Sequence, residues 1–68
     1  GRFHYQENIQ YCRQARGSLT ETLDHLICAA DENYIDPDIL LHMRAKYAFC
    51  LKLINGYILY LKKRKDED

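Results

Sequence analysis

The most constraining feature of the sequence is a run of apolar residues between residues 40 and 61. These residues recur in alternating steps of three and four, the spacing of a helix that packs inside a bundle. They are Leu40, Met43, Tyr47, Cys50, Ile54, Tyr57 and Leu61. With Leu40 at heptad position a, this seam occupies positions a and d, and the flanking positions e and g include Ile39, Leu51, Leu53, Ile58 and Tyr60. A two-stranded coiled coil carries charges at those flanks, so the pattern predicts a helix with more than one helical neighbour.

A second helical pattern precedes this one and covers residues 5 to about 32. Its apolar residues follow helical spacing, and the main core candidates are Cys12, Leu19 and Leu26. A row of small residues includes Ala15, Ser18, Thr22 and Ala29. Gly17 and Gly56 lie inside the two patterns, where glycine costs up to ~1 kcal/mol relative to alanine. We therefore expect a neighbouring chain segment to pack closely on both glycines.

A turn is predicted at residues 33–36. Asn33 tolerates the left-handed conformation that ends many helices, and Asp36 followed by Pro37 is a typical helix start. The second helix is then expected from residue 37 to about 63, where Lys62–Lys65 suit a helix C-terminus. Residues 66–68 are expected to fray.

These elements predict an all-α antiparallel two-helix hairpin that forms part of a four-helix bundle. The single domain has 68 residues, and a chain of this size buries only ~60% of its unfolded surface when folded alone. We expect the bundle to be completed either by homo-oligomerisation or by two missing N-terminal helices.

Composition excludes several classes of function. Ten basic and ten acidic residues give a net charge of zero, so only a local basic patch can attract nucleic acid. No run of apolar residues is long enough for a membrane span. Cys12, Cys28 and Cys50 are odd in number and lie in helical patterns, which is typical of reduced thiols in the cytoplasm. We expect Cys12 and Cys50 to be shielded and Cys28 to be more accessible.

Two segments resemble a known family. Residues 15–21 (ARGSLTE) are similar to the third-helix signature of bacterial four-helix-bundle proteins encoded in intervening sequences of large-subunit ribosomal RNA genes. Residues 53–58 (LINGYI), followed by Leu61-Lys62-Lys63, resemble their fourth-helix signature, and the Tyr34-Ile35 turn also agrees. Gly1-Arg2 resembles the end of the glycine-rich segment that closes their second helix. The resemblance implies that this chain corresponds to the third and fourth helices of such a bundle.

The resemblance also implies what the chain does. The family has no established catalytic activity, and a related branch, the accessory variability determinant proteins of diversity-generating retroelements, forms ring-like oligomers that bind nucleic acid and a reverse transcriptase. We therefore expect a non-catalytic protein that acts through oligomeric assembly and through RNA or protein binding. The alternative is a purely structural or protein-interaction dimerisation module without nucleic-acid binding, and a distant third is a metal-binding bundle.

The candidate nucleic-acid site is a basic ladder. In an antiparallel hairpin the start of helix one lies beside the end of helix two, which brings two arginines within a few turns of the only dense basic run. The ladder comprises Arg13, Arg16, Lys62, Lys63, Arg64 and Lys65. Such residues contact phosphates without reading sequence. The competing interpretation is a solvated helix surface. The acidic residues 66–68 beside the basic run weaken its positive electrostatic potential.

Metal and catalytic sites are less consistent with the sequence. Glu21, Asp24, His25 and Cys28 lie on adjacent turns, with His42 on the other helix. A di-iron bundle site needs Glu and His three residues apart, whereas Glu21 and His25 are four apart. No phosphate-binding loop or nucleophile–base motif is present. We expect no metal, no cofactor, no small-molecule substrate and no enzymatic activity.

Overall fold

Residues 1–67 are described by a computed structural model, and they form two long helices. Helix α1 spans Arg2–Asp31 and helix α2 spans Pro37–Glu67. The two helices pack against each other along their length, and Tyr5 near the start of α1 contacts Arg64 near the end of α2. The result is an elongated hairpin measuring 50 × 16 × 9 Å. The predicted all-α antiparallel hairpin is therefore confirmed.

Both helices are longer than the sequence pattern predicted. Helix α1 begins at Arg2 because the backbone N–H of Tyr5 donates to the Gly1 carbonyl at 3.1 Å, which closes an additional turn. Helix α2 continues past residue 63 because the lysines and arginine there are good helix formers. Asp66 and Glu67, which were expected to fray, are helical. Asp68 lies outside the described residues.

The turn between the helices follows the predicted chemistry. Asn33 has φ 63°, which is the left-handed conformation that asparagine was expected to adopt at the end of α1. The N–H of Tyr34 donates to the Ala29 carbonyl at 2.8 Å, which caps the end of α1. The Asp36 carboxylate accepts a 2.9 Å hydrogen bond from the N–H of Asp38 and thereby caps the start of α2.

The best-packed part of the hairpin lies at its open end, away from the turn. Among residues 1–67, the buried hydrophobic residues are Ile9, Ile58 and Leu61. Tyr5, Cys12 and Ile54 pack against them. Closer to the turn the helix contact is thinner, and its residues are half-buried: Leu19, Leu23, Leu26, Leu40, Tyr47 and Leu51. A hairpin with so few buried residues has little core of its own.

The face of α2 that contacts α1 differs from the expected a/d seam. Positions a and e face α1, as the burial of Ile58 and Leu61 shows. The d residues Met43, Cys50 and Tyr57 are exposed. The physical reason is that a single neighbouring helix covers only one side of a wide apolar face. The helix α1 covers the a/e side and leaves the d/g side uncovered.

The glycines do not contribute to the contact between α1 and α2. A Cβ atom added at Gly17 or Gly56 would meet no heavy atom of residues 1–67 within 4 Å, apart from its own local helix. Close packing on these glycines is therefore not a feature of the hairpin. Their close packing against a further chain stays a prediction.

Candidate functional site

An uncovered row of side chains runs along α2, and we call it the α2 stripe. Its members recur in alternating steps of four and three at heptad positions g and d, so they share one side of the helix. They are Ile39, Met43, Lys46, Cys50, Leu53, Tyr57 and Tyr60, all exposed. Leu53 is 57% exposed and Tyr57 is 50% exposed. The rings of Tyr57 and Tyr60 stack with their centroids 6.0 Å apart. One side of α2 thus presents a nearly continuous apolar surface.

A shallow cleft between the helices is lined by residues of the α2 stripe and of α1, which shows that they lie on the same side of the hairpin. The cleft has a volume of about 130 Å³. Its lining comes from both helices and comprises Leu19, Thr22, Leu23, Leu26, Met43, Lys46, Tyr47 and Cys50. Thr22 belongs to the small-residue row of α1, in which Ala15, Thr22 and Ala29 are seven residues apart and so share a side. The α2 stripe and this row together form one face, which we call the open face.

Polar contacts hold the two helices in register. In the middle, Nη1 of Arg16 donates to Oδ1 of Asn55 at 2.6 Å. Towards the turn, the hydroxyls of Thr20 and Tyr47 are 3.2 Å apart. At the open end, Nζ of Lys65 donates to Oε1 of Gln6 at 2.7 Å.

Arg64 adds a further contact at the open end. Its Nη2 donates to the Tyr5 hydroxyl at 3.3 Å, and its guanidinium carbon lies 5.8 Å from the centre of the Tyr5 ring. The hydrogen bond from Arg64 to Tyr5 raises the pKa of the guanidinium, which is charged at every physiological pH in any case. Stacking of this kind is a favourable cation–π geometry.

The basic ladder predicted from the sequence divides into two groups. Arg16, Arg64 and Lys65 make the interhelical contacts just described. Arg13, Lys62 and Lys63 are exposed, and the side-chain hydrogen bonds and ion pairs within residues 1–67 do not involve them. Three cations of the ladder are thus structural, and three are available to a partner. The sequence did not reveal this division, because the partners Asn55, Tyr5 and Gln6 are distant along the chain.

Charge is distributed unevenly along the hairpin. Residues 17–51, which form the half containing the turn, carry six acidic residues and two basic residues, a net charge of −4. Because the whole chain is neutral, the remaining residues carry +4. The acidic residues of the turn half are Glu21, Asp24, Asp31, Glu32, Asp36 and Asp38, and the basic ones are Arg44 and Lys46. The hairpin is therefore a rod with an acidic turn half and a basic open half.

The candidate metal residues lie on the surface. Oε1 of Glu21 is 3.8 Å from Nε2 of His25, and both side chains are more than three-quarters exposed. Within residues 1–67, no group of three or more His, Cys, Asp or Glu side chains is arranged to hold a metal ion. The arrangement offers a solvated polar surface in place of an inward-facing ligand set.

The three cysteines have different environments. Cys12 is half-buried against the core at the open end, whereas Cys28 and Cys50 are exposed. The exposure of Cys28 was expected. The shielding of Cys50 within the hairpin was not observed, because Cys50 lies on the exposed α2 stripe.

Comparisons with known protein families, curated proteins and solved structures give no match for this chain. In residues 1–67, neither helix has a stretch that is long and apolar enough to cross a membrane. The class that the fold defines is an all-α helical hairpin, which carries an apolar open face and a basic open half.

Proposed function

We propose that this chain is a non-catalytic helical-bundle protein of the ribosomal RNA intervening-sequence type, working in the cytoplasm through assembly of its hairpin with further helices. The observation that carries the proposal is the exposed α2 stripe. The resemblance of residues 15–21 and 53–63 to the third and fourth helices of that family supports the same conclusion. Assembly with two more helices would cover the open face.

The energetics favour assembly. Full burial of one large apolar side chain contributes roughly 1.5–3 kcal/mol, and the stripe exposes Ile39, Met43, Leu53, Tyr57 and Tyr60. Partial burial of these five would contribute several kcal/mol, comparable with the total stability of a small domain. A hairpin that leaves these side chains in water lacks this stabilising free energy. Burying them against further helices is therefore the main way in which the hairpin can be stabilised.

Two leucines of α2 provide a matched test. Leu53 lies on the α2 stripe and is 57% exposed, whereas Leu59 lies off the stripe and is 66% exposed. We expect Leu53→Glu to shift the chain to its monomer mass in light scattering, because a charge would have to be buried. Leu59→Glu should leave the assembled mass unchanged. Equal effects of the two substitutions, or none, would contradict assembly through the stripe.

A second function, RNA binding, is favoured by the basic open half. Arg13, Lys62 and Lys63 are exposed there, and each copy in an assembly would contribute one such patch. Contacts would be to phosphate, with little sequence preference and with steep salt dependence.

The RNA experiment uses only the cations that do not hold the hairpin together. Filter binding of a short RNA should weaken when Lys62 and Lys63 are changed to Gln, and its dependence on salt should become shallower by about one to two ions. The control is Lys52→Gln, which removes one exposed charge nearer the middle of α2 and should change binding less. If no RNA binds at low salt, the chain acts through protein contacts alone.

A further inference from the structure

We propose that the occupant of the open face is a second copy of this chain, bound antiparallel, so that the turn half of each hairpin lies over the open half of the other. This inference rests on the proposed function, because it names the partner that completes the bundle.

Charge complementarity argues for the antiparallel orientation. The turn half carries −4 and the open half +4, along a rod 50 Å long. An antiparallel pair places each acidic half over a basic half, whereas a parallel pair places like charges together. The Debye length is about 8 Å at physiological salt, so the preference acts mainly between side chains near the interface. With the ends of the two copies flush, Asp38 of one copy lies level with Lys65 of the other, whereas Asp36 lies level with Glu67.

Symmetry supplies the register. In a two-fold pair with flush ends, the midpoint of α2 lies at the axis, and each helix crosses its own counterpart in the opposite direction. The midpoint of Pro37–Glu67 is residue 52, which falls between Cys50 and Leu53 of the α2 stripe. Cys50 of one copy then faces Leu53 of the other, and Met43 faces Tyr60.

This register also accounts for the one charged residue on the stripe. Lys46 interrupts an otherwise apolar row. In the antiparallel pair it lies level with Tyr57 of the second copy. Lysine over a tyrosine ring is a favourable cation–π arrangement, and the Lys46 ammonium can remain at the edge of the interface in contact with water.

The orientation can be measured with two spin labels on the same side of α1. Cys28 is exposed, and Gln14, also exposed, lies two heptads earlier. With Cys12 and Cys50 changed to Ala, one protein is labelled at Cys28. A second protein carries Cys28→Ala and Gln14→Cys and is labelled at position 14. Double electron–electron resonance then reports the distance between the two labels of each dimer.

The antiparallel pair predicts two very different distances. At 1.5 Å rise per residue, the two labels at Cys28 are separated along the rod by roughly 35 Å and the two at position 14 by roughly 8 Å. A parallel pair predicts no separation along the rod at either position. Equal distances at the two sites would therefore overturn the antiparallel inference while leaving assembly intact. If the labelled chain and the unmodified chain both remain monomeric, the proposed assembly itself is contradicted.

Salt dependence provides an independent check on the unlabelled chain. Dissociation of the antiparallel dimer should become easier as sodium chloride rises, because opposite charges face each other. Tightening of the dimer with salt would indicate that like halves are paired and would overturn the inference.

Discussion

Arg16 donates a 2.6 Å hydrogen bond to Asn55 and so joins the middle of α1 to the middle of α2. Both residues are half-buried in the contact between the helices. Within the seam the pair lies between apolar residues, with Cys12 and Leu19 as the neighbouring residues of α1. A polar pair in such a position fixes register, because sliding either helix would leave both groups without partners.

Breaking this pair should destabilise the hairpin. A hydrogen bond to a charged group contributes about 1.5–3 kcal/mol, and partial exposure reduces the expected loss for Arg16→Met to about 1 kcal/mol. The measurement is chemical unfolding followed by circular dichroism. Arg13→Met is the matched control, since Arg13 is exposed and lies one turn away. Equal losses from the two substitutions would show that the Asn55 contact contributes nothing.

Two adjacent residues of α2 should respond differently to truncation. Ile58 is 4% exposed and Tyr57 is 50% exposed. Ile58→Ala should destabilise each hairpin by about 2 kcal/mol or more, since core truncations of this kind cost 2–5 kcal/mol. Tyr57→Ala should mainly weaken self-association, because its side chain points away from α1.

The two effects separate experimentally. Unfolding of the Ile58→Ala variant should shift at every protein concentration. The Tyr57→Ala variant should approach the wild-type midpoint as the protein is diluted, because both chains are then monomeric. A concentration-independent loss for Tyr57→Ala would place Tyr57 in the hairpin core.

The cysteines offer a test that requires no substitution. At low protein concentration, Cys28 and Cys50 should react quickly with a thiol reagent and Cys12 slowly, following their exposure. At high concentration, Cys50 alone should become protected, because assembly covers the α2 stripe. Mass spectrometry of the digested protein identifies which cysteine has been modified. Protection of Cys28 in place of Cys50 would mean that a different face assembles.

The glycines predict a gain in stability. A Cβ at Gly17 or Gly56 meets open space within the hairpin, and both residues are helical without positive φ. Replacing either with Ala should therefore stabilise the hairpin by up to ~1 kcal/mol. Thermal unfolding measures the change. A lower midpoint for Gly56→Ala alone would reveal close approach by a partner chain at that residue.

Much of the fold was predictable because its signals are local. The helical spacing, the left-handed Asn33 and the Asp36–Pro37 helix start each depend on neighbouring residues, and the structure confirms them. The side of α2 that α1 covers was not predictable. Positions d and e flank position a on the helix surface, and both carry mainly apolar residues. Only the packed structure shows that α1 buries Ile58 at position e and leaves Tyr57 at position d exposed.

The candidate sites were less predictable than the fold. The basic ladder was identified from clustering alone, and half of it is committed to contacts across the hairpin, such as that of Lys65 with Gln6. Residues so distant in sequence carry no local signal of their pairing. The α2 stripe could have been found from the sequence, since its g and d positions were already recognised as apolar. The missing information was that α1 occupies the other side.

The central claim, that the α2 stripe is a surface for assembly, is tested most directly by sedimentation equilibrium of the unmodified chain. One chain has a mass of 8.1 kDa. We predict that the average mass rises towards twice this value as concentration increases through the micromolar range, with helical circular dichroism throughout. A helical chain that stays at 8.1 kDa at every concentration would contradict the account.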